Sequence, residues 1–440
     1  MHSPHSQEFS SLRQRLSLHF SDKLVAEVLG VASMCEWFIT RKDKPVNIPT
    51  GREDSTTVSL TNLWVLGEAV PERLVQNALG DLAKCLSDAR WLTTTDDGHI
   101  QSSLSILPCD GLWLVTDHIH NQDRSDSVFF PDSSSVNSFC CFPASEGSHL
   151  DVGTGCGLTA LAAARNGQEV DINDINARAL ALTQIGFKLN GFCAPRIHEG
   201  DFARVEGRFH SIAFNLPVPA DAGMLPTEPV HSRSPRSDLL EKMFDWLPAH
   251  LAPGGVAVVH TRFPDDISGF GRSLETICNS LGWRGLAVYA PNNGTGFFGV
   301  LMLQREGSAG FKSIEFDPND TVWRTHWEWP AIVDLLRAEP VSDSLSLASH
   351  LDLVPWVRPL ARMSTAPDGK WGIETIKLFR VELSGADAQA FRLLAEGRSL
   401  EESIEYLSGR FPLTRDEAEG SVEQLATRLL SAGLATLRTE

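Results

Sequence analysis

Hydrophobic and polar positions between residues 148 and 306 follow two alternating patterns. Short apolar runs, such as SHLDV at 148–152 and VAVVHTRF at 256–263, predict strands, whereas ARALALTQIGFKLNG at 177–191 has the spacing of a helix. Strands that alternate with helices in this way predict a parallel sheet with helices on both faces. Two late apolar runs on either side of an Asn-Gly loop predict an antiparallel hairpin at one edge of that sheet.

The segments on either side of this region have different patterns. Before it, helical spacing is followed by two short strand-like runs around the turn residues Asp97 and Gly98, an order that resembles a winged helix. After it, Trp-rich and strand-like runs lead into three amphipathic helical patterns. We therefore expect an α/β protein with an N-terminal winged-helix-like domain over 1–120, a Rossmann-like domain over 121–316 and a mainly helical (α+β) C-terminal module over 317–440.

Composition narrows the class of protein. The chain has 440 residues, 42% of them hydrophobic and 21% charged, and no apolar run reaches the roughly 18 residues that a membrane helix needs. Its eight cysteines include no C-x-x-C pair and its first residues have no apolar signal core, so we expect a cytoplasmic protein without a metal site. The formal net charge of −18 disfavours DNA or RNA as a partner, because proteins that bind phosphates usually present basic surfaces.

The segment DVGTGCG at 151–157 lies between a predicted strand and a predicted helix. Its three glycines permit a tight turn in which a ligand approaches the backbone, and the start of the helix leaves N–H donors free. A dinucleotide site has the spacing G-x-G-x-x-G, but Leu158 occupies the position of the third glycine here. Asp151 would repel a pyrophosphate and attract an ammonium group. The loop therefore favours a ligand with an amino-acid group over a dinucleotide.

Acidic and amide residues follow the next three predicted strands. Asp174 follows the second strand, where ribose hydroxyls would need an acceptor, and Asp201 and Phe202 follow the third, where they could contact an adenine. Asn215 ends the fourth strand, within the segment FNLPVP at 214–219. Because ligands of open α/β sheets bind beyond the carboxyl ends of the strands, we expect these residues to face one ligand.

Taken in order, these motifs resemble those of the class I S-adenosylmethionine-dependent methyltransferases over residues 125–306. The resemblance implies a Rossmann-like methyltransferase sheet, S-adenosyl-L-methionine as the cofactor and S-adenosyl-L-homocysteine as the product. It assigns cofactor binding to the glycine-rich segment and to the residues after the second, third and fourth strands. These residues are Asp151, Gly153, Thr154, Gly155, Gly157, Asp174, Ile175, Asp201, Phe202 and Asn215.

The segment FNLPVP is also similar to the Asn-Pro-Pro-aromatic motif of methyltransferases that modify planar nitrogens, such as the release-factor glutamine and ribosomal RNA guanine-N2 enzymes. The resemblance implies catalytic roles for Asn215, Leu216 and Pro217. The Asn215 oxygen and the carbonyl of residue 216 would accept hydrogen bonds from the nitrogen, and the proline would stiffen the turn. Leu216 and Val218 depart from the motif, and the missing aromatic residue favours an acceptor smaller than a planar base.

Two flanking loops complete the expected site. FFPDSSSV at 129–136 occupies the place where the glutamine and guanine methyltransferases carry a loop over the cofactor, and EPVHSRSPR at 228–236 follows the fourth strand. A positive side chain in the second loop would pair with a substrate carboxylate. The residues expected to contact the substrate are Phe130, Asp132, Ser134, Val218, His231 and Arg233.

These features predict a methyltransferase that acts on a nitrogen of a small amino-acid-like metabolite or of a peptide or protein side chain, in a biosynthetic role. Two alternatives remain open. One keeps the chemistry but acts on a guanine or adenine of ribosomal RNA, and the other is a non-catalytic regulatory protein that binds S-adenosylmethionine. Leu158 disfavours a nicotinamide oxidoreductase. We expect no membrane partner, and the flanking modules are compatible with a homodimer.

Overall fold

The computed structural model divides the chain into two compact units, Met1–Pro318 and Asn319–Glu440. The first unit contains both the N-terminal elements and the large sheet. The residues that the structure describes are 6–31, 33–40, 55–118, 124–140, 147–217, 239–263, 267–291, 297–305, 309–315, 354–357, 362–365, 371–374, 380–383, 385–395, 398–431 and 435–438.

The N-terminal elements comprise short helices, a small sheet and a hairpin. The helices are α1 (Ser6–His19), α2 (Asp22–Leu29), α3 (Met34–Thr40), α4 (Thr56–Thr61), which continues as a π-helical turn (Asn62–Leu66), α5 (Glu72–Leu79) and α6 (Leu82–Asp88). The strands are β1 (Val70–Pro71), β2 (Leu92–Thr94), β3 (His99–Ser102), β4 (Leu104–Cys109) and β5 (Leu112–Asp117). Strands β2 and β3 pair across the predicted turn at Asp97 and Gly98, and β4 pairs with β5. The winged-helix likeness of this region stays a prediction.

An eight-stranded sheet forms the centre of the first unit. Its strands are β6 (Ser148–Val152), β7 (Glu169–Asp174), β8 (Arg196–Glu199), β9 (Phe209–Asn215), β10 (Leu251–Phe263), β11 (Trp283–Pro291), β12 (Phe297–Arg305) and β13 (Gly310–Glu315). The helices around it are α7 (Ser133–Cys140), α8 (Leu158–Arg165), α9 (Ala177–Asn190), α10 (Leu239–His250) and α11 (Ile267–Leu281). The strand order is β13-β11-β12-β10-β9-β6-β7-β8, and β12 runs antiparallel to both of its neighbours. The predicted α/β class and Rossmann-like sheet are confirmed.

Apolar side chains cover both faces of the sheet. Leu150 and Val152 of β6 belong to a buried cluster that includes Trp246 of α10. On the other face, helices α8 and α9 share a buried cluster with the N-terminal elements. Backbone and side chain also join these parts, because Asn190 of α9 exchanges two hydrogen bonds with the backbone of Trp113, at 3.0 and 2.8 Å. The N-terminal elements are therefore packed onto the sheet as part of one core.

The strand order reverses between β6 and β9. The chain runs outward from β6 to β8 and then returns to the other side of β6, which leaves a crevice at the carboxyl ends of these parallel strands. The two late strands β11 and β12 form the predicted antiparallel hairpin, but the prediction that it lies at the edge was wrong. Strand β13 pairs in parallel with β11 and forms the edge instead. Its short, partly polar sequence GFKSIE carries no local signal that specifies this partner.

The second unit contains helices and short antiparallel strands in its described part. The helices are α12 (Gly385–Ala395), α13 (Leu400–Arg410) and α14 (Arg415–Ser431), and the strands are β14 (Val354–Val357), β15 (Arg362–Thr365), β16 (Trp371–Glu374), β17 (Arg380–Leu383) and β18 (Ala435–Arg438). The three amphipathic helical patterns seen in the sequence correspond to these three helices. Leu394, Leu407 and Leu425 are buried between them. Ser399 and Glu402 form a capping box that explains where α13 begins.

Candidate active site

The loop after β6, residues 153–157, holds three glycines in left-handed backbone conformations. The φ angles of Gly153, Gly155 and Gly157 are +63°, +52° and +74°, which residues with a side chain rarely adopt. A Cβ atom at Gly157 would lie 2.6 Å from Cγ2 of Thr183 on α9, so a larger residue would displace one of the two elements. Thr183 also donates a hydrogen bond from Oγ1 to the carbonyl of Gly155, at 3.1 Å. Helix α9 therefore fixes the glycine loop from behind.

Asp151 lies beneath the glycine loop as a buried carboxyl group. Its Oδ1 accepts a hydrogen bond from Thr159 Oγ1 at 2.6 Å, and its Oδ2 accepts from Thr154 Oγ1 at 2.8 Å and from the N–H of Ala160 at 3.3 Å. Burial raises the pKa of Asp151 to about 7 in spite of these hydrogen bonds. Asp151 and Thr154 thus shape the loop from below, and the contact of Asp151 with a ligand ammonium stays a prediction.

Asp174, the last residue of β7, lies beside the same loop. Its Oδ2 accepts a hydrogen bond from the N–H of Gly155 at 3.0 Å, and its Oδ1 accepts from the N–H of Asn176 at 2.9 Å. Burial raises the pKa of Asp174, although both hydrogen bonds oppose that shift. The next residue, Ile175, is 65% exposed, more than any other large apolar side chain among the residues that the structure describes. A carboxyl group beside an exposed apolar surface can hold the ribose and the flat base of a nucleoside.

Asp201 and Phe202 follow β8 and are accompanied by a residue that the sequence did not single out. Lys242 of α10 places Nζ 2.5 Å from Oδ2 of Asp201 and 5.2 Å from the ring centroid of Phe202. Phe202 is 5% exposed and packs edge-on against Phe214, with 5.1 Å between the ring centroids. Its ring therefore belongs to the buried cluster with Phe214 and Trp246, and its contact with an adenine stays a prediction. The amphipathic pattern of α10 does not distinguish Lys242 from a solvent-facing lysine, so the sequence alone does not predict this ion pair.

Asn215 is the last residue of β9 and lies at the point where the strand order reverses. Its partner in the parallel ladder with β10 is His260, and the ladder ends at this pair. The N–H of Leu216 donates to the carbonyl of His260 at 3.0 Å, so the Leu216 carbonyl lies just beyond the ladder. Pro217 follows and, lacking an N–H, cannot extend the ladder. The three predicted catalytic residues therefore lie together at the carboxyl end of the central strands.

The side chain of Asn215 is held by residues that precede and begin α7. Its Nδ2 donates to Ser134 Oγ at 2.7 Å, and Ser134 Oγ donates to Oδ1 of Asp132 at 2.5 Å. Asp132 is exposed as a residue, and although desolvation of its carboxyl group would by itself raise the pKa, hydrogen bonds from Ser134 and Ser135 lower that pKa overall. Asp132 is therefore ionised at neutral pH. The structure brings two predicted substrate residues, Asp132 and Ser134, next to the predicted catalytic amide.

His260 is a candidate functional residue that the sequence analysis missed. It is 4% exposed, and burial lowers its pKa to about 4, although the charge of Asp132 opposes that shift. The imidazole is therefore neutral at pH 7 and retains a ring nitrogen that can accept a proton. The available signal was a single histidine near the end of the apolar run VAVVHTRF, directly opposite the end of β9.

The loop that leads into α7 is anchored to the N-terminal hairpin and to the start of α9. The N–H of Val128 donates to Oδ2 of Asp117 at 2.8 Å, and the carbonyl of Asp126 accepts from Nδ2 of Asn176 at 2.9 Å. Arg178 forms a bidentate ion pair with Asp117, whose side chain is 2% exposed. These contacts hold the loop against the same edge of the sheet that carries the crevice.

The remaining predicted substrate residues have different positions. Phe130 is 3% exposed and packs against Trp37, with 6.1 Å between ring centroids, so its ring belongs to the core behind the loop. Val218, His231 and Arg233 lie outside the described residues. Their proposed contacts with a substrate stay predictions.

Metal-binding groups and membrane-spanning helices are two further features to consider in the described residues. Within the ranges that the structure describes, no group of three or more His, Cys, Asp or Glu side chains could hold a metal ion. The helices of that part of the chain are also too short or too polar to cross a membrane.

The part of the chain that contains the crevice is similar to a known protein family. Residues 136–264 match the family model of the methyltransferase small domain. This range includes the glycine loop, Asp174, Asn215 and His260. No curated protein matches the chain at a significant level.

Several solved structures of methyltransferases are similar to this chain. A methyltransferase from Pyrococcus furiosus is 17% identical, with 36% of this chain and 75% of that chain covered and a TM-score of 0.27. A ribosomal protein L11 methylase from Lactobacillus delbrueckii subsp. bulgaricus is 20% identical, with 36% and 70% covered and a TM-score of 0.26. The M. jannaschii tRNA m1G37 methyltransferase is 16% identical, with 47% and 60% covered and a TM-score of 0.33. At TM-scores below 0.5 these likenesses support no conclusion about substrate.

Proposed function

We propose that the chain is a class I S-adenosylmethionine-dependent methyltransferase, with S-adenosylmethionine as its cofactor, and that it methylates a nitrogen of a small amino-acid-like metabolite or of a peptide or protein side chain. The observation that carries this proposal is the chemistry at the end of β9. Asn215 offers an amide oxygen there, and the Leu216 carbonyl lies just beyond the last ladder pair. Two neighbouring acceptors suit a nitrogen that still carries hydrogens.

The residues around the glycine loop fit the groups of the cofactor. The open space beside Gly155 and the left-handed backbone of the loop let a ligand lie against main-chain atoms. Asp174 supplies an acceptor for ribose hydroxyls, Ile175 supplies an exposed apolar surface for adenine, and the carboxyl of Asp151 favours an ammonium group above the loop. When bound, S-adenosylmethionine would supply a methyl group on a positively charged sulfonium: the nitrogen lone pair would form a bond to the methyl carbon while the carbon–sulfur bond breaks, and S-adenosylhomocysteine would leave.

Asn215 and Leu216 orient the reacting nitrogen in this proposal. The Asn215 oxygen accepts one N–H and the Leu216 carbonyl accepts another, which directs the nitrogen lone pair away from both oxygens. Alignment of reacting atoms at about 3–3.5 Å supplies much of the rate enhancement in such reactions. As the nitrogen gains the methyl group it becomes positively charged, and the two oxygens stabilise that charge until one N–H proton leaves to water.

Overall charge and the residue at position 218 support the choice of substrate class. The net charge of −18 disfavours a long phosphate backbone as the ligand. Val218 stands where the similar motif has an aromatic residue, so the chain lacks the ring that would stack on a planar base. An acceptor smaller than a planar base, such as the amine or amide of an amino-acid-like metabolite, fits both features. Methylation of such a metabolite is typical of a biosynthetic enzyme.

The acceptor is identified by labelling. The protein is incubated with deuterated-methyl S-adenosylmethionine and, separately, with pools of amino-acid-like metabolites, peptides and ribosomal RNA, and mass spectrometry locates the label. We expect label on nitrogen in the metabolite or peptide pool. Label on RNA alone would favour the ribosomal alternative, and label on oxygen or carbon would refute the proposed chemistry.

Asn215 is then tested with the acceptor found in this way. Asn215→Ala should reduce turnover about a hundredfold or more, the scale of losing one oriented catalytic group. Its affinity for S-adenosylhomocysteine, measured by calorimetry, should stay within a few-fold of wild type. The control is Asn166→Ala, because Asn166 is an exposed asparagine at the C-terminal end of α8, just before the amino end of β7, whereas the crevice lies at the carboxyl ends of the strands. Wild-type turnover in Asn215→Ala would remove this residue from the mechanism.

A further inference from the structure

Three side chains from two distant segments of the sequence form one chain of hydrogen bonds at the crevice. Nδ2 of Asn215 donates to Oγ of Ser134 at 2.7 Å, and Oγ of Ser134 donates to Oδ1 of Asp132 at 2.5 Å. Ser134 and Asn215 are 81 positions apart in the sequence. The contact therefore exists only because the fold packs α7 beside the end of β9.

The direction of this chain follows from the chemistry of its members. An ionised carboxylate only accepts hydrogen bonds, and a serine hydroxyl has one proton to donate. Because Ser134 gives its proton to Asp132, only its lone pairs remain for Asn215, which must then present its NH₂ group. Desolvation of the carboxyl group favours the protonated form of Asp132, but the hydrogen bonds from Ser134 and Ser135 lower its pKa overall. The carboxylate therefore stays an acceptor at neutral pH.

This direction decides which end of the Asn215 amide remains for a substrate. With Nδ2 held by Ser134, Oδ1 points away from it, and within the described part of the chain Oδ1 accepts no hydrogen bond. A free amide oxygen binds a nitrogen that carries hydrogens. A free NH₂ group would instead bind an acceptor, such as a carbonyl oxygen or an unprotonated ring nitrogen.

We propose that Asp132 and Ser134 are positioning residues that hold the Asn215 amide with its oxygen toward the substrate, so that the enzyme selects a primary amine or amide nitrogen. The inference rests on the proposed function, because it assumes that Asn215 faces the methyl acceptor. It gives Asp132 and Ser134 a role that does not require either side chain to touch the substrate. The same chain of hydrogen bonds disfavours methyl acceptors that carry no N–H group.

Asp132 also has a structural role that a good control must separate from this one. Its Oδ1 accepts the N–H of Ser135 at 3.0 Å and its carbonyl accepts the N–H of Val136 at 2.9 Å, which caps α7. Oγ of Ser135 donates to the same Oδ1 at 3.2 Å, but Ser135 makes no hydrogen bond with Asn215 in the described structure. Ser135→Ala is therefore a matched control for Ser134→Ala. Asp132→Asn retains the cap, because asparagine caps helices about as well as aspartate.

Nuclear magnetic resonance of the full-length protein labelled with ¹⁵N-asparagine reads the amide directly. The Asn215 side-chain signal is assigned by its loss in Asn215→Ala, and the exchange of its NH₂ protons with water is measured without substrate. Ser134→Ala should speed this exchange about two- to tenfold, the range expected for one net hydrogen bond. Asp132→Asn should also speed the exchange of the Asn215 NH₂ protons. The new amide can donate a hydrogen bond to Ser134 Oγ, so the Ser134 hydroxyl can donate its proton to the Asn215 oxygen and no longer holds the NH₂ group. Ser134→Thr, which keeps the hydroxyl, and Ser135→Ala should exchange at the wild-type rate.

Two outcomes would overturn the proposal. One is wild-type exchange in Ser134→Ala or in Asp132→Asn, and the other is equal acceleration in the Ser135→Ala control. Thermal melting of each variant shows that it is folded, and the conservative pair Asp132→Asn and Ser134→Thr provides the comparison if Ser134→Ala does not fold. The exchange measurement needs no methyl acceptor. Failure of the proposed orientation of the Asn215 amide is therefore distinguishable from failure of the proposed nitrogen methylation, which the turnover of Asn215→Ala tests separately.

Discussion

Replacing Gly157 with alanine tests how closely the glycine loop is fitted to α9. Gly157 has a φ of +74°, and a Cβ there would lie 2.6 Å from Cγ2 and 2.9 Å from Oγ1 of Thr183. Thr183 is fully buried and holds the carbonyl of Gly155, so it has little freedom to move away. The methyl group of the new alanine would therefore push the loop and the helix apart.

The expected loss in the free energy of unfolding of Gly157→Ala has two parts. A residue with a Cβ in a left-handed conformation costs about 1–2 kcal/mol, and forcing an extra methyl group into a packed site costs about 1–3 kcal/mol. We expect Gly157→Ala to lower the free energy of unfolding by about 2–5 kcal/mol. Gly155→Ala is the matched control, because its φ is +52° but the nearest atom to its Cβ is 3.9 Å away. Gly155→Ala should show only the first part, about 1–2 kcal/mol.

Calorimetric unfolding of wild type, Gly155→Ala, Gly157→Ala, Thr183→Ala and the double variant Gly157→Ala/Thr183→Ala forms the assay. Thr183→Ala removes the two closest atoms, so the double variant should be more stable than the sum of its single changes predicts. The coupling energy should be about 1–3 kcal/mol. Equal losses for the two glycine variants, or an additive double variant, would refute the steric reasoning.

Two other predictions concern the charged groups near the crevice. Arg178→Met should lower the free energy of unfolding by about 3–5 kcal/mol, because it leaves the buried Asp117 without its ion-pair partner. Arg124→Met breaks the exposed pair with Asp126 and should lower it by about 1 kcal/mol or less. Denaturant titration compares the two variants, and equal losses would contradict the burial argument. Binding of S-adenosylmethionine at pH 7 should release about half a proton, since a positive ligand lowers the pKa of Asp151 from about 7. Calorimetry in buffers of different ionisation enthalpy measures this release, which should vanish in Asp151→Asn, and binding heats in wild type that do not depend on the buffer would refute the assignment.

Much of the fold and the position of the crevice were predictable because they depend on short stretches of sequence. The period of apolar residues defines each strand and helix, and the glycine spacing at 153–157 defines a turn whose backbone dihedrals are local properties. Asp174 and Asn215 could be placed at strand ends for the same reason, and parallel strands bring their ends to one edge. The α/β class is confirmed, and the roles of the individual residues stay predictions.

Contacts between distant segments were not predictable in this way. Strand β13 adds to the outer side of β11 although nothing in its own sequence specifies that partner. His260 becomes the neighbour of Asn215 only when β10 pairs with β9. Lys242 reaches Asp201 only when α10 packs against the turn Phe202–Arg204 that follows β8. Each of these depends on which elements the fold makes adjacent.

The amino-acid sequence by itself determined where the strands end and which polar groups stand at those ends. Only the tertiary structure decided how those groups are used, because the free end of the Asn215 amide depends on Ser134 and Asp132, which the chain brings from 81 and more positions away. A local pattern specifies backbone conformation through a few neighbouring dihedral angles. A hydrogen bond depends on tenths of an ångström between atoms that only the packed core brings together.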